Sequence, residues 1–485
     1  MVPRTFPSSL HPFTGRRQLV ALFLGDVTGL QRWVDYIPVN FGSGTSLVEG
    51  SYENNGFIAI QEISSGIGLQ AFLDYIPVFF DADSTDTWHV SAVGFIPYGV
   101  SGVTSPPSLE LSFTRSQTLD PRITFTRSTT ATFTGSDGLI QTAAINAPRF
   151  DYNPTTLAPL GLLIEEQRVN LLLYSEELDT GWTNGTGATW QYSSGVSPEG
   201  TTTALGVDGL SGTGLVSTGT TLYRVGTAIS GSTAYTFSVY VRAKTGTANI
   251  ALRMSETGGN NTVSSGVIVT TAWTRVSMSV TSAAGATSVT VAVGTASGAA
   301  NVFIWGAQLE AGAFATSYIP TVASQVTRAG DLAVMTGTNF SSWYNATEGT
   351  FYAQFTPAAS NFGANKNIFV ASDGTTSNFV GLRYASTGAQ PAMAATTLGV
   401  SQANIATGAM VAGTNYKLAG AYKANDFAAS RNAGTVGTDA SGTIPTVTQA
   451  EIGALASLAI GTQHIQRLVY YPRRLSNAEL QGITA

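Results

Sequence analysis

Cysteine is absent from the 485 residues, histidine occurs three times, and charged side chains make up only 11% of the chain. The missing thiols exclude disulfides, thiolate nucleophiles and zinc–thiolate centres, so stability has to come from packing and assembly. His11, His89 and His464 stand far apart, with no second ligand at metal spacing and no HExxH pattern, which gives them surface or core roles. A GxSxG elbow, a P-loop and a GxGxxG fingerprint are lacking as well. The net charge is −6 and only four of the 23 cations are lysines. No basic surface is therefore available to displace counterions from a phosphate backbone, and nucleic acid is not an expected partner. No apolar run approaches the ~18 residues that span a bilayer, so membrane insertion is not expected. Arg16-Arg17 followed by Leu19 to Leu24 imitates a leader sequence. That core is about six residues against the usual 7–15 and Asp26 follows it, so it reads as a strand.

What is present is the composition of a folded β protein. Apolar residues account for 43% and aromatics for 10%, and Gly fills 53 positions, roughly 11% where about 7% is usual. Thr, Ser and Ala crowd much of the rest. The length suits roughly three domains of ordinary size.

The first ~115 residues stand apart by an internal near-duplicate. Leu30-Gln31-Arg32-Trp33-Val34-Asp35-Tyr36-Ile37-Pro38-Val39 is echoed by Leu69-Gln70-Ala71-Phe72-Leu73-Asp74-Tyr75-Ile76-Pro77-Val78, with seven identities in ten at a spacing of 39. In both copies proline forces the preceding Ile towards extended backbone, so Tyr-Ile-Pro-Val reads as an edge strand. The Leu-Gln end fits either a strand or a helical turn. Trp33, Tyr36, Pro38, Phe72, Tyr75 and Pro77 are the candidate assembly residues of this β-rich region. Gly99 to Pro107, with its Pro-Pro pair, is the linker candidate.

Residues 116–170 read as short strands and irregular connections that brace the domains on either side. Beyond them, period-two alternation is clear. Tyr235, Phe237, Val239 and Val241 share one face, while Thr236, Ser238, Tyr240 and Arg242 share the other. The pattern recurs at Thr274 to Val280, Val289 to Val293, and Phe303, Trp305, Ala307 and Leu309, and it predicts an antiparallel β-sandwich over 171–325. Alternation at Phe351, Ala353 and Phe355, at Val380, Leu382 and Tyr384, and at Tyr416, Leu418 and Tyr422 predicts a second sandwich over 326–485. Ser476 and Glu479 have capping-box spacing for a short terminal helix. The fold class is all-β: a small N-terminal β-rich anchoring domain followed by two antiparallel jelly-roll sandwiches.

The stretch Ile123-Thr124-Phe125-Thr126-Arg127-Ser128, continuing through Asp137-Gly138-Leu139-Ile140, Ala147-Pro148-Arg149-Phe150-Asp151-Tyr152 and Gly161-Leu162-Leu163-Ile164-Glu165-Glu166-Gln167-Arg168-Val169-Asn170-Leu171-Leu172, resembles a segment of bacteriophage virion proteins, chiefly tail fibres and related structural components. Val169 departs from the Thr usual there. In that family a jelly roll similar to carbohydrate-binding modules follows, and Trp182, Trp273-Thr274-Arg275-Val276 and Trp305-Gly306-Ala307-Gln308-Leu309-Glu310 look like its landmarks. The ending Val469-Tyr470-Tyr471-Pro472-Arg473-Arg474-Leu475-Ser476 resembles a concanavalin-A/laminin-G-type sandwich. The resemblance implies a virion location and a glycan-binding type of fold. The site itself has to be argued separately.

Glycan recognition needs flat aromatic faces ringed by polar groups. Trp190 and Tyr192, Tyr223 and Arg224, and Trp343 and Tyr344 supply such pairs amid turn residues, and each pair can equally plug a loop onto its sheet. Trp273 and Trp305 alternate with polar or small residues and read as core. Glycan cleavage requires two carboxylates across a cleft. Glu165-Glu166 and Glu176-Glu177 are chain neighbours, and Glu166 is spaced to pair with Arg168 on one face. Asp81, Asp83 and Asp86 are the densest acidic group, but Trp88, His89 and Val90 follow where a calcium loop needs Gly and a terminal Glu. No catalytic residue, metal site or cofactor is expected. The expected protein is a non-enzymatic virion component that assembles with other virion proteins, forms a homo-oligomer and binds host-surface polysaccharide. Architectural decoration or fibre docking is the alternative, and glycan depolymerisation the third.

Overall fold

The computed structural model describes residues 106–485 except 185–188, 201–202, 213–220, 360–363, 386–389 and 457, and except the side chains of 189–194 and 385. Earlier in the chain it describes two short antiparallel pairings, Gln18–Leu19 with Ile37–Pro38 and Phe79–Ala82 with Trp88–Ser91. Contacts divide the chain into two compact units, Met1–Pro107 and Ser108–Ala485. Trp33, Tyr36, Phe72, Tyr75 and Pro77 lie outside the described residues, as does the side chain of Pro38.

The second unit is all-β and holds two antiparallel sandwiches. In one of them a sheet here called A runs in the order Thr189–Val196, Thr203–Leu210, Ala300–Ala311, Ala234–Ala243, Thr274–Thr281. The facing sheet B orders Thr183–Asn184, Leu222–Ala228, Ser288–Thr295, Ala248–Glu256 and Asn261–Val263, with Val267–Val269 also paired to Ala248–Glu256. Alternation does what the sequence expects along most strands. Tyr235, Phe237, Val239 and Val241 enter the core beside Ile250, Leu252, Val291 and Val293, the apolar burial that drives two sheets together.

One strand departs from its pattern. Ala300–Ala311 carries an irregularity against Ala234–Ala243, where Ser238 pairs with Gln308 but Tyr240 pairs with Trp305. Gly306 sits in this bulge at φ +65°, a left-handed conformation that glycine adopts at little cost. The extra residue reverses the facing of everything before it. Val302 and Ile304 point into the core with Ala307 and Leu309, and Phe303 and Trp305 point outward. The simple alternation that grouped Phe303 and Trp305 with Ala307 and Leu309 is corrected by that one residue.

The other sandwich is assembled from both sides of the first. Its sheet C orders Gly437–Asp439, Phe427–Arg431, Tyr416–Lys423, Glu348–Pro357, Gln463–Tyr471, Pro159–Ile164 and Phe150–Tyr152, and Leu109–Ser112 also pairs with Gln463–Tyr471. Sheet D orders Val400–Ala406, Gln390–Thr397, Phe379–Ala385, Lys366–Ser372, Gln449–Ile452, Leu332–Thr336 and Thr124–Thr126. Residues 109–164 thus do more than connect: they contribute strands to both layers. Gly161, at φ +100°, allows this, because a Cβ there would stand 2.2 Å from the Ile465 carbonyl oxygen. The sandwich of sheets A and B is inserted between these strands and the remainder of their own sandwich. Its entering and leaving segments, Arg168–Asn170 and Val326–Arg328, lie side by side as an antiparallel pair. The terminal helix Asn477–Thr484 carries the expected capping box from Ser476 and Glu479.

Candidate functional site

The six aromatic and arginine candidates do not converge. Trp343 is 2% exposed. Its indole meets Tyr470 at 4.9 Å, Phe340 at 5.2 Å and Phe369 at 6.0 Å, and its Nε1 donates to the Asn339 carbonyl. Tyr344 stacks on Phe340 at 4.7 Å and on Tyr422 at 6.1 Å. Trp343 belongs to the core of sheets C and D and Tyr344 packs against that core, so both rings serve internal packing, which corrects their candidacy. Tyr223 and Arg224 are half-buried on sheet B, where Arg224 donates to the Gly181 carbonyl at 3.0 Å. Trp190 and Tyr192 lie on the edge strand of sheet A, paired with Val207 and Leu205, and their side chains are outside the described residues.

A different group gathers on the outer face of sheet A because of the Gly306 bulge. Trp305, Tyr240 and Tyr318 form a ring cluster there, with centroids 4.5–6.3 Å apart, and Ile140 of the hairpin Ala131–Thr134/Ile140–Ala143 packs against it. Beside this cluster Phe303 pairs directly across the ladder with Arg242. The Arg242 guanidinium lies 4.6 Å from the Phe303 ring centre and 5.1 Å from that of Trp273. Trp273 is only partly buried, and its Nε1 donates to the carbonyl of Val196, itself 55% exposed. Trp273 is therefore a wall of an outer patch, contrary to its expected core role. Lys244 completes the row, 5.2 Å from the Phe303 ring and 2.8 Å from the Asp208 carboxylate.

Arg242 differs from the other cations of this face. Arg275 donates to the Thr316 carbonyl and to Ser238 Oγ, and Lys244 has Asp208. Arg242 has neither a hydrogen bond nor an ion pair among the described residues. Burial lowers its guanidinium from the usual arginine value, yet an arginine stays charged at any physiological pH. Two rings hold its plane through cation–π contact, worth about 0.5–2 kcal/mol, which leaves its N–H edge to seek an acceptor. An ordered donor edge between aromatic walls suits a polar ligand with an apolar face.

The charged residues of segment 123–172 have another destination. Arg149 contacts Glu165 at 2.6 Å and Asp331 at 2.5 Å; Arg127 contacts Asp331 at 3.0 Å, and Arg328 contacts Glu165 at 3.4 Å. All five side chains are at most 2% exposed. Ser317, from the inserted sandwich, donates its backbone N–H and its hydroxyl to Glu165 at 2.7 and 2.6 Å. Burial by itself would raise the Glu165 carboxyl, but Arg328, Arg149 and the Ser317 donors hold it well below the usual carboxylate range. Glu166 pairs with Arg168 and with Lys366, each at 2.5 Å, so the same-face pairing expected for Glu166 and Arg168 forms. These residues build the lock at the neck of the insertion.

One carboxyl is poised differently. Glu176 accepts from the Tyr318 hydroxyl at 3.0 Å, and burial, with the charge of Glu199 added, pushes its pKa up to about 7. The folded state binds this proton more tightly than the unfolded state does. Stability from this group is therefore complete below the ordinary Glu range and is lost as pH rises through about 7. Glu176→Gln is expected to flatten that decline and raise Tm above pH 7 by roughly 2–4 °C; melting curves from pH 5 to 9 check it.

No protein-family model matches the chain, and no curated protein matches it. Among solved structures it is similar to the CBM40 of the Ruminococcus gnavus IT-sialidase bound to alpha2,6 sialyllactose, at 16% identity over 29% of this chain and 85% of that one, with a TM-score of 0.25. It is similar to the CBM22-1 xylan-binding domain of Paenibacillus barcinonensis Xyn10C at 12% identity, over 30% of this chain and 92% of that one, with a TM-score of 0.23. It is also similar to the Trypanosoma rangeli sialidase in complex with the inhibitor DANA at 14% identity, over 32% of this chain and 26% of that one, with a TM-score of 0.25. Likenesses of this extent carry neither a ligand nor an activity over to this chain.

Proposed function

We propose that the chain is a structural component of a bacteriophage particle, attached through its first unit, Met1–Pro107, and binding host-surface glycan, without cleaving it, through the inserted sandwich. The single observation that carries the binding is the Trp273–Arg242–Phe303 row on the outer face of sheet A. It joins apolar ring faces to an uncommitted donor edge, the combination a sugar ring and its oxygens require. The virion role is supported by the resemblance of residues 123–172. A homo-oligomer fits both: it covers sheet edges, and repeated copies raise weak single-site affinity through effective concentration.

The test is retention of the full chain on host envelope polysaccharide. Trp273→Ala is expected to weaken retention about tenfold, the equivalent of ~1.4 kcal/mol, with the melting temperature little changed because the indole is only partly buried. No retention on any host polysaccharide would favour capsid decoration or fibre docking. Glycan cleavage would need two carboxylates across a cleft, and Glu176, whose pKa burial and the charge of Glu199 push up to about 7, is the carboxyl to test for it. New reducing ends that disappear in Glu176→Gln would establish cleavage; unchanged chain length after prolonged incubation would dismiss it.

A further inference from the structure

Resting on that glycan-binding reading, we infer that the site selects acidic saccharide: Arg242 receives a sugar carboxylate on its N–H edge while Trp273 stacks against the ring.

The inference starts from an imbalance. Every other large cation near this face is matched: Lys244 by Asp208 at 2.8 Å, and Arg275 by the Thr316 carbonyl and the Ser238 hydroxyl. Arg168, deeper at the neck, meets Glu166 and Glu310. Among the described residues Arg242 is the cation of this patch with neither a hydrogen bond nor an ion pair, and its Nε is shielded from solvent. Its terminal N–H groups have no acceptor among the described residues and are free to receive a bound anion, the partner a guanidinium pairs with most strongly. The planar fork of arginine matches the two oxygens of a carboxylate, and it keeps a fixed orientation here because Trp273 and Phe303 clamp its plane.

The surroundings favour a small, ring-borne anion over a polyphosphate. With Lys244 tied to Asp208 and Arg275 to neutral acceptors, a patch on a chain of net charge −6 is poorly suited to a dense polyanion, whereas one carboxylate per sugar residue is matched by the free edge of Arg242. Phe303 is fixed from behind by Gly195, where a Cβ would approach its ring to 2.4 Å. The clamp is therefore built before any ligand arrives, which lowers the cost of ordering on binding.

The experiment compares the full chain on immobilised polygalacturonate and hyaluronan, on the same polymers after reduction of their carboxyl groups, and on dextran. Arg242→Gln and Arg242→Lys are measured beside the parent, with melting temperature as the folding control. The expected result is retention on both acidic polymers, weakened about 10- to 100-fold by carboxyl reduction and to a similar extent in Arg242→Gln, the range of a lost charge-assisted pair. Arg242→Lys is expected to recover little, since an ammonium does not present a two-pronged fork. Equal retention on the native and reduced polymers would overturn the acid selectivity while leaving glycan binding intact. Absence of retention on all five matrices would overturn both, and assembly defects confined to Arg242→Gln would then assign the row to a neighbouring virion protein. Because carboxyl reduction alters only the polymer, the comparison holds even if a variant folds poorly.

Discussion

Asp331→Ala is expected to destabilise the second unit by about 3–5 kcal/mol, the range seen when one member of a buried ion pair is removed. Asp331 accepts from Arg127 at 3.0 Å, from Arg149 at 2.5 Å and from the backbone N–H of Glu165 at 2.9 Å. Its loss leaves Arg127 without a carboxylate partner and halves the pairing of Arg149, both with side chains fully shielded from solvent. The damage is greater than one lost hydrogen bond, because the buried charges left behind cannot recover their hydration. Chemical denaturation of the full chain measures it. Acid reads the same lock through Glu165. Its carboxyl is held below the ordinary range when folded, so its contribution is complete above about pH 4.5 and is lost as pH falls from there. Glu165→Gln should melt at a lower temperature than the parent at pH 7, and the gap should narrow towards pH 3. An Asp331→Ala protein that melts with the parent would show the lock to be dispensable.

A fragment of residues 326–485, the C-terminal domain as the sequence delimits it, is expected not to fold. It lacks Leu109, Leu111, Phe113, Ile123, Phe125, Phe150, Leu162 and Ile164, which sit in the same core as Phe351, Leu418 and Tyr470. At about 1.5–3 kcal/mol for each fully buried apolar side chain, those eight supply roughly 12–24 kcal/mol, against a total stability of about 5–15 kcal/mol for a domain. The fragment also exposes Gln463–Tyr471 as a sheet edge, because its partners Pro159–Ile164 and Leu109–Ser112 are gone. Joining residues 108–170 to 326–485 through a short turn should restore folding. Asn170 and Val326 are direct partners across the neck ladder, so two residues suffice to bridge them. Far-ultraviolet circular dichroism and melting curves of the two polypeptides test this. A cooperative, β-rich fragment 326–485 would show that the N-terminal strands are accessory.

Strand identity was legible in the chain, and so was the capping box at Ser476 and Glu479. Alternation and capping are local: a strand must present one face to the core, and a helix must satisfy its first N–H groups from nearby side chains. The pairing of Glu166 with Arg168 was legible for the same reason, because the two are neighbours in the chain, Glu166 lying just before the strand Arg168–Asn170. The candidate site was not. Arg242 reads as wet-face and Phe303 as core by simple alternation, so the two rings and the cation would never be grouped. The bulge at Gly306 places them opposite each other, and glycines are too frequent in this sequence for one of them to announce a bulge.

The sequence by itself determined the class of structure, antiparallel sheets rich in turns, together with the poverty of acid, base and thiol groups. Tertiary structure alone decided that one sandwich is inserted within the other, that Arg127, Arg149 and Glu165 meet Arg328 and Asp331 in a buried lock, and that Arg242, without a hydrogen bond or ion pair among the described residues, lies against two aromatic rings. The physical reason is range. Period and propensity act over a few residues, whereas partners such as Arg127 with Asp331, or Leu468 with Leu111, are separated by hundreds of positions and are chosen by the packing of the whole core.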